Sequence, residues 1–242
     1  MEKNKERFDK IIASQFNVSR KEARITIRQG KGKVDGQVLK DPSALICPET
    51  QKIEYEDRVL QYKKYIYLLM NKPKGVISAG NDKNCKTVID IVPEKFSRNG
   101  LFPVGRLDKN TTGLLVITDD GDFAHKAISP NKNIFKTYVA ELDGEVTEDM
   151  VEAFEKGIVL ADGTVCKKAY LKPLSKNKAE IKICEGKYHQ IKRMFGTVGL
   201  GVNELSRIAI GELFLPSDMK EGECIELSDE QITLIFDKKD EI

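Results

Sequence analysis

A polar loop closed by glycine at both ends opens directly into an apolar run and sets the framework of this chain. It reads Val104-Gly105-Arg106-Leu107-Asp108-Lys109-Asn110-Thr111-Thr112-Gly113, followed by Leu114-Leu115-Val116-Ile117-Thr118. Residues 114–118 have strand character. A carboxylate at the mouth of a strand, in a loop bounded by glycines, can be presented as one reactive group at a fixed angle. Gly, Asp and Asn are also the residues of ordinary turns, so the segment alone leaves both readings open.

The chain has 242 residues, enough for one large domain or two smaller ones. Apolar residues make up 40% and charged residues 32%, a composition that can bury a core. No apolar stretch reaches the ~18 residues of a membrane span, and residues 1–7 are charged rather than an apolar signal segment. The five cysteines are odd in number, far apart and without a Cys-x-x-Cys. That spacing argues against a zinc site or a disulfide framework and for free thiols in a reducing cytoplasm. The net charge is +2, but residues 217–242 carry nine acidic and three basic side chains, leaving the rest of the chain at +8. Such a balance suits a polyanionic partner; solvated surface charge is the plainer reading.

Residues 1–60 read as a small separate module. Phe8, Ile11, Ile12 and Phe16 recur at helical spacing. Ser19 and Glu22 form a capping-box pattern for a second helix, with Val18 and Ala23 placed as a hydrophobic staple and Gly30 as the stop. On that helix Arg20, Lys21, Arg24 and Arg28 fall within an arc of roughly 100°. Lys31 and Lys33 extend the basic patch, and two short strands surround an Asp35-Gly36 turn. A basic stripe beside an apolar one suits a phosphate backbone; a soluble surface helix is the alternative.

Residues 57–64 read as a linker to a second part, 61–242. Residues 65–70 form a buried strand, stopped by Asn71-Lys72-Pro73-Lys74-Gly75. Further strands are expected at 114–118, 136–142 and 179–183, with helices at 122–129 and 147–156 between them. The pattern is α+β with a mostly antiparallel, mixed sheet.

Dinucleotide and P-loop glycine motifs are absent, as are Gly-x-Ser-x-Gly and a Ser-His-Asp arrangement. Two histidines, His125 and His189, cannot build a metal site with the scattered cysteines. The expectation is chemistry by carboxylates, Tyr, Lys and Arg alone, with no cofactor and no metal. Two charged segments stand beside the opening loop. Glu185-Gly186-Lys187-Tyr188-His189-Gln190-Ile191-Lys192-Arg193-Met194-Phe195 is cationic and aromatic, suited to phosphates and unstacked bases; a helix N-terminus with ordinary surface charge is the plain alternative. Phe135-Lys136-Thr137-Tyr138 places a tyrosine in strand alternation, where core packing is the plain reading.

These segments, in this order, carry a resemblance. Residues 67 to about 211 resemble the catalytic domain of the RsuA-type pseudouridine synthases, through Leu69-Met70-Asn71-Lys72-Pro73-Lys74-Gly75, Gly105-Arg106-Leu107-Asp108, Thr111-Thr112-Gly113-Leu114, Lys136-Thr137-Tyr138, the 185–194 segment and Leu205-Ser206-Arg207. The first module resembles the S4 RNA-binding domain through Arg7-Phe8-Asp9-Lys10, Ser19-Arg20-Lys21-Glu22-Ala23, Ile27-Arg28-Gln29-Gly30 and Val34-Asp35-Gly36. It departs from that pattern at Phe8, where Leu is usual, and at Gly32, where a strand apolar residue is usual, so its first strand is expected to be short.

The resemblance implies an enzyme that converts uridine in RNA to pseudouridine: the base is cut from C1′, turned and rejoined through C5. Asp108 matches the family carboxylate, as nucleophile or base at the sugar. Arg106 matches the arginine that fills the space of the flipped nucleotide. Tyr138 matches the tyrosine that stacks on the base, and Lys192 the cation that pairs with the carboxylate, with Arg193 in reserve. Arg20, Lys21, Arg24, Arg28, Lys31, Lys187, His189 and Arg193 are the expected RNA contacts. Among S4-bearing members the small-subunit (16S) rRNA enzymes match best, with large-subunit (23S) rRNA as the alternative target. A non-catalytic RNA-binding or ribosome-assembly factor is the alternative class, against which the intact Asp108, Tyr138 and Lys192 set speaks. A cytoplasmic monomer acting on rRNA, with no membrane partner, is the resulting expectation.

Overall fold

The computed structural model describes residues 5–237; the last five residues of the acidic tail and the first four of the charged N-terminus lie outside them. Two compact units are present. One comprises residues up to Ile66 together with Pro93–Leu101, the other Tyr67–Val92 and Phe102 onward.

In the first unit, helices α1 (Phe8–Gln15) and α2 (Arg20–Arg28) pack on a four-stranded sheet. Its strands are β1 (Gly32–Val34), β2 (Gln37–Val38), β3 (Ile53–Tyr55) and β4 (Arg58–Val59), in the order β2-β1-β3-β4. The core gathers Phe8, Ile11, Ile12, Ala23, Ile27, Ile53 and Tyr55, all nearly inaccessible to solvent. Ser19 caps α2 by accepting from the Glu22 backbone N–H, but the return bond of a capping box is not formed; that motif instead opens α6 (Asp229–Leu234) through Ser228 and Gln231. Asp35 and Gly36 both take positive φ, as a two-residue hairpin turn requires. The segment expected as linker contributes β4, because Arg58 and Val59 pair with Tyr55 and Glu54 in a second tight hairpin.

The two departures at Phe8 and Gly32 belong together. A Cβ added at Gly32 would lie 2.7 Å from the tip of the Phe8 ring. The larger ring fills the space that a side chain at position 32 would need, so the core keeps its density.

The second unit is built on one mixed sheet. Its main strands are β5 (Tyr67–Lys72), β6 (Thr112–Thr118), β7 (Lys136–Leu142), β8 (Tyr170–Ser175), β9 (Lys178–Ile183), β10 (Val202–Ile210) and β11 (Cys224–Glu226). They run in the order β8-β9-β7-β10-β6-β5-β11, with two short strands joining β10 and β6 at the side. Every neighbour in that order is antiparallel except β6 and β10, which are parallel over two residue pairs, Thr112 with Ser206 and Gly113 with Arg207. Gly113 makes that junction possible. Its φ is +98°, and a Cβ there would lie 2.2 Å from the Arg207 carbonyl oxygen.

β5 continues two residues past the expected stop. Asn71 and Lys72 stay extended because they are buried and pair with Leu114 and Gly113. Helix α3 (Gly121–Ile128) begins at Asp120, whose carboxylate accepts the backbone N–H groups of Asp122 and Phe123. Its Phe123, Ala124 and Ala127 pack with Leu69, Leu114 and Val116. Helices α4 (Glu148–Lys156) and α5 (Gln190–Thr197) complete the unit.

In a denaturation series, Gly32→Val is expected to destabilise the first unit by about 1–3 kcal/mol through overpacking. Adding Phe8→Leu to it is expected to recover most of that loss. A double variant no more stable than Gly32→Val alone would show that the two positions are not coupled.

Candidate active site

A cleft of about 890 Å³ lies in the second unit. Its floor is one face of the sheet. Ile183, Lys136 and Ile210 sit side by side on β9, β7 and β10, with Tyr138 and Arg207 paired in the next row and Leu205 beyond them. All six line the cleft, as side chains on one face of a pleated sheet must. A β-bulge decides the second row. Thr137 opposes Ala209, but Tyr138 opposes Arg207 rather than Ile208. The extra residue turns Arg207 onto the Tyr138 face, which unbroken alternation would have denied it.

The loop from Gly105 to Thr111 forms one wall and carries Arg106 and Asp108 into the cleft. Arg106 is exposed and Asp108 one-third exposed. Three devices fix this loop. Gly105 takes φ +76°, and the Thr111 N–H donates to the Asp108 carbonyl at 3.0 Å. Ser78 Oγ accepts the Leu107 N–H at 3.0 Å and donates to the Leu107 carbonyl at 2.9 Å. Lys72 is fully buried and donates from Nζ to the carbonyls of Pro73, Lys109 and Thr111 at 3.0–3.2 Å. Burial pushes its ammonium down to about 8, while the nearby Asp108 and Glu221 charges favour the protonated form. Ser78 lies outside every motif, and Lys72, inside the 69–75 motif, reads there only as part of a strand stop. The only local sign is a charged residue ending an apolar strand.

The opposite wall is the loop before α5. Here His189, in left-handed backbone conformation at the helix start, brings Nε2 to 3.5 Å from the Asp108 carboxylate. The exposed Tyr188 ring stacks on the His189 ring at 3.9 Å between centroids. Lys187 and Lys192 also line the cleft, and Lys187 pairs with Glu185. Lys192 forms no ion pair with Asp108; within this cleft His189 is the basic side chain that meets it. Arg193 points elsewhere, to Asp162 and the Tyr188 carbonyl, and does not line the cleft. Glu185, the other carboxylate of the lining, is engaged by Lys187, Gln190 Nε2 and the Lys167 N–H. Of the two carboxylates of the lining, Asp108 is thus the less engaged. Among the described residues no group of His, Cys, Asp and Glu gathers as metal ligands would.

In the first unit the basic helix is partly occupied by its own fold. Asp9, completely buried on α1, accepts from Arg7, Arg20 and Arg24 at 2.7–3.2 Å. Burial pushes its carboxyl up, but the three guanidiniums outweigh that and hold it well below the usual carboxylate range. Lys31 pairs with Glu56. Lys21 and Arg28, exposed on α2, form no ion pair among the described residues.

The RNA pseudouridylate synthase family profile matches residues 66–197, more than half of the chain, and the S4 domain profile matches residues 6–51. The chain belongs to the RNA pseudouridylate synthase family. The synthase is 36% identical over 241 residues to YtzG of Bacillus subtilis, an uncharacterized RNA pseudouridine synthase, spanning 95% of this chain and 98% of that one. It is 36% identical over 231 residues to ribosomal small subunit pseudouridine synthase A of Escherichia coli, spanning 95% and 99%. A crystal structure of a pseudouridylate synthase, 34% identical, superposes with a TM-score of 0.67 over 95% of this chain and 99% of that one. The chain is thus an RNA pseudouridine synthase with an S4 domain.

Lys72→Met in the synthase is expected to leave the sheet folded but free the carbonyls that fix the Asp108 loop. Turnover in a single-round assay is expected to fall about 100-fold, the scale of an ångström-sized misplacement. On the S4 domain, Lys21→Ala and Arg28→Ala are each expected to reduce the slope of log affinity against log salt by about one, with the melting temperature unchanged. Arg24→Ala is expected to lower the melting temperature as well, because it strips a partner from buried Asp9. Since the Asp9 carboxyl is depressed in the folded state, its contribution to stability is complete above about pH 4 and fades as pH falls. An acid titration of the wild type against Asp9→Asn measures this.

Proposed function

We propose that the synthase isomerises a uridine of small-subunit ribosomal RNA, with Asp108 as the group that acts on the sugar. The observation that carries the mechanism is the lone available carboxylate: Asp108 stands in the cleft while Glu185 is tied up by three donors. Cleaving a glycosidic bond by hydrolysis calls for two carboxylates flanking it. Isomerisation needs one, because the detached base returns as the nucleophile. The C1′–N1 bond breaks, C1′ is rejoined to C5, and the C5 proton is exchanged for one on N1, so nothing is consumed.

In this reading Arg106, exposed on the rim, fills the space left by the flipped nucleotide. Tyr138 on the floor stacks on the uracil and takes the C5 proton. Lys192 keeps Asp108 ionised once the uridine displaces the His189 ring. Lys187, the Tyr188–His189 stack, Lys21 and Arg28 contact RNA, with Arg20, Arg24 and Lys31 contributing charge from within their ion pairs. Similarity over almost the full length of the Escherichia coli small-subunit enzyme supports the choice of target. Five free cysteines and a ribosomal substrate support a cytoplasmic setting.

The test is tritium release from RNA labelled at uridine C5, using small-subunit and large-subunit rRNA, naked and as partial particles. Wild-type release from small-subunit RNA alone, abolished by Asp108→Asn with RNA affinity retained, is the expected result. Release from large-subunit RNA alone would overturn the target. Turnover by Asp108→Asn would overturn the mechanism.

A further inference from the structure

The cleft floor holds two cations that no carboxylate balances. Arg207 is 4% exposed. Its Nε donates to the Leu114 carbonyl at 2.8 Å, which fixes the guanidinium, while one terminal nitrogen, Nη2, has no hydrogen-bond partner among the described residues. The guanidinium carbon lies 6.0 Å from the Tyr138 ring centroid. Lys136, on the same sheet face two residues before Tyr138, donates from Nζ to the Ile134 carbonyl at 2.8 Å. Burial pushes its ammonium down to about 8, and the Arg207 charge adds to that. Neither cation forms an ion pair with a carboxylate among the described residues.

A buried donor left empty and two like charges side by side are costly, and a fold keeps such an arrangement where a visiting group relieves it. The visitor is an anion or an oxygen that becomes one. RNA offers two: a phosphate and the base. Phosphates travel on the outside of the strand, where the exposed Arg106 and Lys109 stand on the rim. The flipped base goes deepest, against Tyr138.

We infer that Arg207 and Lys136 form a subsite for the detached uracil, holding the negative charge its carbonyl oxygens acquire as the C1′–N1 bond breaks. The assignment rests on the reaction proposed above and adds residues to it. When that bond breaks, its electron pair leaves with the ring, and the charge spreads from N1 onto O2 and O4. Donors already in place for that charge lower the barrier without reorganising. They also solve the rotation. Turning uracil about its N3–C6 axis exchanges N1 with C5 and O2 with O4. A pair of cations gripping the two oxygens therefore meets the same pattern before and after the turn. The base releases the two donors as it turns and regains them with O2 and O4 exchanged, now presenting C5 to C1′.

The experiment uses the full-length protein and two variants, Arg207→Met and Lys136→Met. Barbiturate, a uracil-like ring that is already an anion at neutral pH, is the probe, with neutral uracil and uridine 5′-monophosphate beside it. Wild type is expected to bind barbiturate more tightly than uracil, and each variant to lose about tenfold or more of that affinity. Turnover on the RNA that wild type modifies is expected to fall about 100-fold or more. RNA affinity is expected to change less than about threefold, since phosphate contacts carry it. Removing a buried, unbalanced charge is expected to leave the melting temperature unchanged or raised, which a merely structural role would not do. Arg207→Lys is expected to recover part of the barbiturate affinity.

Barbiturate binding that is absent from wild type or unchanged in both variants would overturn the proposal. So would a selective loss of uridine 5′-monophosphate affinity, which would make the pair a phosphate site. Unchanged turnover would overturn it as well. If Arg207→Met does not fold, Lys136→Met gives the same readings. If wild type modifies no RNA, the reaction assignment fails, while the barbiturate titration still decides the subsite.

Discussion

The parallel contact between Gly113 and Arg207 is the joint on which the catalytic unit turns. On one side of it lie β10, β7, β9 and β8, on the other β6, β5 and β11, and each set is antiparallel within itself. Two residue pairs unite them, and a side chain at position 113 would run into the Arg207 backbone. The loop bearing Asp108 enters from the β6 side of this joint. Tyr138 and Arg207 belong to the other side. The cleft is thus assembled across a seam in the sheet, and the missing Cβ of Gly113 sets how closely the two sides approach each other.

The stiffness of that approach comes from backbone carbonyls captured by side chains rather than from ion pairing. Lys72 gathers two carbonyls of the turn after Asp108, those of Lys109 and Thr111, together with that of Pro73, and Ser78 clips the residue before Asp108 from both directions. Among the described residues Asp108 makes no short side-chain hydrogen bond and meets the His189 ring at 3.5 Å. The carboxylate is held by its main chain and left open at its oxygens, which is the arrangement a group needs if it must exchange partners during a reaction.

Features fixed by short-range chemistry were legible in the sequence. The Asp35-Gly36 turn, the Ser19 cap and the apolar strand 114–118 depend on neighbours within a few residues, and the structure has them. The motifs located the Asp108 loop, Tyr138 and the α5 segment, and these do line one cleft. The remainder depends on register and distance. Arg207 reaches the floor through a bulge that alternation cannot anticipate. Lys72 looks like a strand breaker until its carbonyl partners, 37 and 39 residues on, are in place. Arg20 and Arg24 look like free cations on a helix, but a buried aspartate on the preceding helix claims them. Charge counted along a sequence overstates charge offered to a ligand.

The exchange between Phe8 and Gly32 bears on how S4 domains can be recombined. A ring on the first helix and an empty position on the first strand are complementary halves of one volume. A chimera that took the helix from this chain and the sheet from a relative with an apolar strand residue would collide at its centre. The reciprocal chimera would leave a void. The helix and the strand must therefore be exchanged together, although 24 positions separate Phe8 from Gly32.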